Sequence, residues 1–150
     1  MKKKSLLYVL LIVGVLVFVS QKTYAYLISE TNISVSSTGS NIKCDAEIQT
    51  VSSAEKSIYG YAEFKVVVKN TEDNVVSGEP FDYTISFENE TGSDAVFGYN
   101  NVFSPNTSLT GSLANDQART NSHIFQVKSN SGLSENINYK VKLNCTQKYQ

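Results

Sequence analysis

Tryptophan is absent from this chain, and histidine, proline and cysteine are scarce, at one, two and two residues in 150. Each shortage removes a class of protein. One histidine, His123, rules out a HExxH zinc site. No GxSxG elbow accompanies it, and a general base needs a nucleophile within reach. The expected fate of His123, on a weak strand between Ser122 and Ile124, is a solvated side chain rather than a catalytic one. No glycine-rich phosphate loop occurs, so neither catalytic residue nor cofactor is assigned. Lacking tryptophan, the chain also lacks the immunoglobulin hallmark of an indole beside the inter-sheet bridge.

Long apolar runs are missing too, with one exception at the start. Lys2, Lys3 and Lys4 precede an uncharged stretch from Leu6 to Val19. Thr23 and Ala25 then stand at the −3 and −1 positions of a cut between Ala25 and Tyr26. These are the three parts of a secretory leader. The apolar run has 14 residues, short of the ~20 that cross a bilayer as a helix. Residues 1–25 therefore read as a removable signal helix, leaving no stable membrane span and implying a signal peptidase as partner during export. Removal takes four of the 13 basic residues (Lys2, Lys3, Lys4, Lys22) and none of the 14 acidic ones, so the mature charge is 9 − 14 = −5. With no basic cluster to interrupt that acidity, nucleic acid is disfavoured as a partner.

Period-two alternation dominates the remainder. Ile42, Cys44, Ala46 and Ile48 form one buried face, and Ala62, Phe64, Val66 and Val68 a second. Phe81 to Glu88 gives a third, and Ile137, Tyr139, Val141, Leu143 and Cys145 a fourth. Weaker strands are expected at Asn32 to Ser36, Ala95 to Tyr99, Ser108 to Leu113 and His123 to Lys128, with one short helical turn between Ser112 and Arg119. Turn-formers such as Thr71-Glu72-Asp73-Asn74 separate them. The fold class is all-β: a single antiparallel β-sandwich, immunoglobulin-like or jelly-roll in architecture, of about 7–8 strands. Residues 26–41 read as a mature N-terminal extended segment and 42–150 as the sandwich.

Cys44 and Cys145 both lie on inward faces, and an even pair in an oxidising exterior favours a disulfide over two buried thiols. Two loops, around Glu72, Asp73 and Asn74 and around Glu88, Glu90 and Asp94, offer oxygens to calcium. The spaced acidic ladder of an EF-hand is missing, and solvated carboxylates are the preferred reading. A Lys–Asn isopeptide link is disfavoured, because Lys43, Lys65, Lys140 and Asn144 all fall on outward faces. Asn32, Asn89, Asn106 and Asn144 open glycosylation triplets of the kind that chance supplies in an Asn-, Ser- and Thr-rich chain. Tyr59, Phe97, Tyr99 and Phe103 are aromatic residues outside the core pattern, available for a contact surface or for packing.

The junction Thr23-Tyr24-Ala25-Tyr26-Leu27-Ile28-Ser29-Glu30 resembles the T-x-A-Y-F-(S/T)-(D/E) signature of Gram-positive proteins cut by the SipW-type signal peptidase, among them the TasA/camelysin family. Leu27 replaces the usual Phe, and Ile28 is inserted before Ser29-Glu30. The resemblance covers the leader and the first mature residues. It implies a secreted, cell-surface or biofilm-matrix β-sandwich that in some relatives polymerises into fibres, the mature N-terminus of one subunit adding a strand to the next. The protease activity claimed for camelysin does not carry over, because no zinc-ligand set is present. The expectation is a secreted, extracellular, non-enzymatic structural protein that associates with itself or with other matrix proteins by strand addition. The alternative is a ligand-binding adhesin module. Residues 26–36 either donate a strand to a neighbour or pair within their own sandwich, the latter being preferred. No sortase motif closes the C-terminus, so covalent wall attachment is not expected.

Overall fold

In the computed structural model, residues 32–52, 60–90, 93–130 and 137–148 are described. The leader, the cleavage site at Ala25 and Tyr26, and Tyr59 lie outside them. Eleven strands make up the described chain: β1 (Asn32–Thr38), β2 (Asp45–Ser52), β3 (Ala62–Lys69), β4 (Thr71–Glu72), β5 (Val75–Val76), β6 (Phe81–Asn89), β7 (Ala95–Tyr99), β8 (Val102–Ser104), β9 (Ser108–Leu113), β10 (Thr120–Ser129) and β11 (Tyr139–Gln147). Eight of them are the strands expected from alternation. The other three are short and arise from turn chemistry. Asp73 and Asn74 have φ of 51° and 64°, and Asn100 and Asn101 repeat those values. Two consecutive left-handed residues define the type I′ turn that matches strand twist, so β4–β5 and β7–β8 close as two-residue hairpins.

Two sheets pack face to face. Sheet I has the order β1-β11-β6-β9 and sheet II the order β2-β3-β10-β7-β8. All pairings are antiparallel but one: β1 runs parallel to β11, from Asn32 opposite Lys140 to Thr38 opposite Thr146. The antiparallel β-sandwich expected from the sequence is the fold, with this one parallel pair at an edge, and β1 is a member of the sandwich within its own chain. A parallel neighbour needs a long crossover, and nearly the whole domain lies between β1 and β11.

The core between the sheets follows the alternation closely. Phe81, Tyr83, Ile85, Val141, Leu143 and Cys145 from sheet I meet Ala62, Phe64, Val66, Val68, Phe125 and Val127 from sheet II, each 1% exposed or less. Its centre is aromatic. Phe87 stacks on Phe97 with ring centroids 4.5 Å apart, while Phe64 lies 5.8 Å from Phe125 and 5.5 Å from Tyr139. Such pairs add about 0.5–1.5 kcal/mol each beyond the area they bury.

The helical turn expected between Ser112 and Arg119 does not form. β9 runs to Leu113, and residues 115–117 are a bend. A buried side chain shapes that loop. Asn70 donates through Nδ2 to the carbonyls of Ala114 (2.7 Å) and Gln117 (2.8 Å), and its Oδ1 accepts the Arg119 N–H at 2.7 Å. The loop's backbone groups are thus satisfied by a side chain from the far end of β3, which removes the need for helical hydrogen bonds.

Candidate functional site

Cys44, just before β2 of sheet II, and Cys145, on β11 of sheet I, meet as a disulfide across the core, with Cα atoms 6.6 Å apart. Both are buried, at 8% and 1% exposure. Cys145 is held inward by its alternation with Leu143 and Val141, and Cys44 by the irregular approach to β2, where the expected strand starts three residues later than Ile42. The link closes a chain separation of 101 residues and joins the two sheets at one end.

The four sheet edges are unequal. β2 carries Asp45 and Glu47, and its register shifts between Thr50 and Ser52. β8 has three residues and is followed by Pro105. Charge, an irregularity, shortness and proline are the usual devices that keep an edge from recruiting another strand. β1 (Asn-Ile-Ser-Val-Ser-Ser-Thr) and β9 (Ser-Leu-Thr-Gly-Ser-Leu) have none of them among their own residues, while Asn121 Nδ2 from β10 donates to the Ser112 carbonyl of β9 at 3.2 Å. Both ladders run without a register shift. β1 is held by its backbone ladder and little else: Ile33 is half-buried, Val35 is 38% exposed, and the Ser36 hydroxyl donates to Asn144 Oδ1 at 2.5 Å.

The solvated placement expected for His123 is corrected: its ring is half-buried in the seam between the sheets. Its Nε2 lies 2.6 Å from the Tyr83 hydroxyl, to which Asn121 Nδ2 donates at 3.0 Å. The Tyr83 hydroxyl is thus shared between two side chains of β10, His123 and Asn121. Gly111 faces this group from β9, where a Cβ would stand 2.3 Å from the Tyr83 hydroxyl. Burial pushes Tyr83 above the ordinary tyrosine range and His123 below the ordinary histidine range, so both are held neutral. The hydrogen-bond partners here are uncharged. The arrangement ties β6 to β10, and no carboxylate among these hydrogen bonds orients His123 as in a triad.

The acidic loops find cations of the chain itself. Glu72 pairs with Lys43 at 3.2 Å, Glu88 with Lys142 at 2.5 Å and Glu90 with Lys140 at 3.9 Å, while Asp94 accepts the Ser129 hydroxyl at 2.8 Å. Among the described residues no group of three or more His, Cys, Asp or Glu side chains converges as metal ligands. The same pairings engage Lys43 and Lys140 on the surface. Lys69 donates to Glu47 at 2.5 Å, holding that carboxyl below the usual range.

Of the four aromatic residues outside the core pattern, Phe97 is core at 1% exposure and Tyr99 is half-buried, 5.4 Å from Phe125. Phe103 lies 5.8 Å from Tyr61 on the outer face of sheet II, with Lys128 Nζ 4.3 Å above its ring. Asn70, Tyr83 and Asn121 escaped the sequence reading as polar anchors. Tyr83 occupies an inward position in the alternation of β6, and nothing in that alternation marks its hydroxyl. No protein-family model matches this chain, and no curated protein matches it.

Proposed function

We propose that the mature chain is a secreted, non-enzymatic structural component of the cell surface or biofilm matrix of a Gram-positive bacterium, associating with itself by strand addition. The observation that carries this reading is the pair of uncharged, regular edge strands on sheet I, β1 and β9, beside a second sheet whose edges carry charge, a register shift, shortness and proline. Strand addition draws affinity from main-chain hydrogen bonds, which such edges offer. Export is supported by the leader pattern and by the buried disulfide, which persists in an oxidising compartment. Among the described residues no helix is long and apolar enough to cross a membrane.

The test is the secreted protein itself, followed by light scattering and electron microscopy over a concentration series. Filaments or oligomers that grow with concentration are the expected result. A monomer that stays monomeric and binds cell-wall glycan favours the adhesin module instead. Intact mass locates the cut and shows whether two hydrogens are lost to the bridge.

A further inference from the structure

Sheet I has the same strand direction at both of its ends. β1 runs parallel to β11, β11 antiparallel to β6, and β6 antiparallel to β9, so β9 points the same way as β1. We infer that copies of this chain join head to tail through sheet I, the outer edge of β9 in one copy adding to the outer edge of β1 in the next, while β1 keeps its own ladder to β11. This rests on the self-associating reading above and specifies its partner and its two surfaces.

Three properties of the edges support the pairing. Neither strand bears a charge, so no like-charge or buried-charge penalty opposes contact. Their lengths match, at seven and six residues. Their faces match as well. On the outer face β1 presents Ser34, Ser36 and Thr38, and β9 presents Ser108, Thr110 and Ser112. On the core side β1 presents Ile33, Val35 and Ser37, and β9 presents Leu109, Gly111 and Leu113. A β9–β1 junction that sets Ser34, Ser36 and Thr38 against Ser108, Thr110 and Ser112 outside sets Val35 against Leu109 and Ser37 against Gly111 inside. It also covers Val35, one of the exposed large apolar residues.

A two-fold contact of β9 with β9 would close at a dimer and leave β1 bare. The parallel head-to-tail contact uses both edges and does not close, which is the condition for a filament. Strand twist of about 20–25° per strand, over four strands per copy, turns successive subunits by roughly 80–100°.

The experiment uses the secreted mature protein and two edge charges, Ser36→Lys on β1 and Thr110→Lys on β9, both at exposed outer-face positions. Thermal melts establish that each variant folds, with Ser34→Lys and Ser108→Lys as replacements for one that does not. In sedimentation velocity each variant alone is expected to lose concentration-dependent growth. An equal mixture is expected to form a heterodimer and stop, because one intact β9 meets one intact β1. Continued dimerisation of the Ser36→Lys protein by itself would overturn the inference in favour of a β9–β9 contact. A second variant, Ser36→Cys with Asn144→Cys, locks β1 to its own β11. Loss of assembly on oxidation of that pair would overturn the inference in favour of strand exchange, and leave the structural role standing. A wild type monomeric at every concentration would overturn both the inference and self-association, leaving the adhesin reading to the glycan assay.

Discussion

Sheet I and sheet II face the same core but treat their outer surfaces differently. Sheet II spreads charge over its strands, with Asp45 and Glu47 on β2, Glu63, Lys65 and Lys69 on β3, and Lys128 on β10. Sheet I keeps its charges at the two ends. Lys140, Lys142, Glu88 and Glu90 gather at one, and Asp82 and Lys148 pair at 3.9 Å near the other. Between them Ser36, Asn144, Thr84 and Thr110 stand in one cross-strand row of uncharged side chains. The difference teaches that alternation alone does not decide how a sheet meets its surroundings. Two sheets with equally good inward faces can differ in the charge and regularity of their edges.

The links between these sheets are where the comparison can be broken. The largest effect is expected from the disulfide. Replacing Cys44 and Cys145 by alanine removes the side-chain cross-link between the sheets and should cost about 3–5 kcal/mol of stability. Denaturant titration measures the total, and hydrogen exchange locates it. Amides of β1 and β11 should lose more protection than those of β3 and β10, because the edge strand β1 is held mainly through β11.

A smaller effect is expected in the same cross-strand row, where Tyr83 is the partner of Cys145 and Gly111 the partner of Tyr83. Gly111→Ala places a methyl group where the Tyr83 hydroxyl lies, 2.3 Å away, so the ring must shift and the contact with His123 must loosen. Overpacking of this kind costs about 1–3 kcal/mol. Thermal melts of the wild type and the Gly111→Ala protein read the difference.

The smallest effect is a dependence on pH. The folded state holds His123 below its ordinary value, near 6.5 in an unfolded chain, by burying the ring. Above about 6.5 the imidazole is neutral in both states and the full stability is present. As pH falls below that value, the unfolded chain takes up a proton that the fold resists, and stability drops until the folded group is also protonated. His123→Gln keeps a polar partner for the Tyr83 hydroxyl and should flatten this part of the melting-temperature profile between pH 7.5 and 5, whereas an unchanged slope would assign it to other groups.

Much of this architecture was legible along the chain. The strict alternation of Tyr139 to Cys145, of Phe81 to Ile85 and of Ala62 to Val68 gave strands, inward faces and the facing of both cysteines. What went unread had identifiable causes. The β7–β8 hairpin hides in Asn100-Asn101, where neither residue is glycine and yet both adopt positive φ. The loop after β9 read as a helical turn because Asn70, some 45 residues upstream in sequence, supplies the hydrogen bonds that a helix would have supplied itself. His123 read as solvated because its partner Tyr83 sits on another sheet, and one-dimensional patterning carries no information about what lies opposite across a core.

The residues by themselves determined period, facing and composition: an all-β domain, its buried side chains, and a pair of inward cysteines. These properties depend on neighbours one and two positions away, since successive side chains on a strand point to opposite faces. Only the folded chain decided which strands are edges, that β1 lies parallel to β11, and that the uncharged strands β1 and β9 bound the same sheet. Those outcomes depend on pairings between segments as much as a hundred residues apart, settled by the packing of the two inner faces against each other.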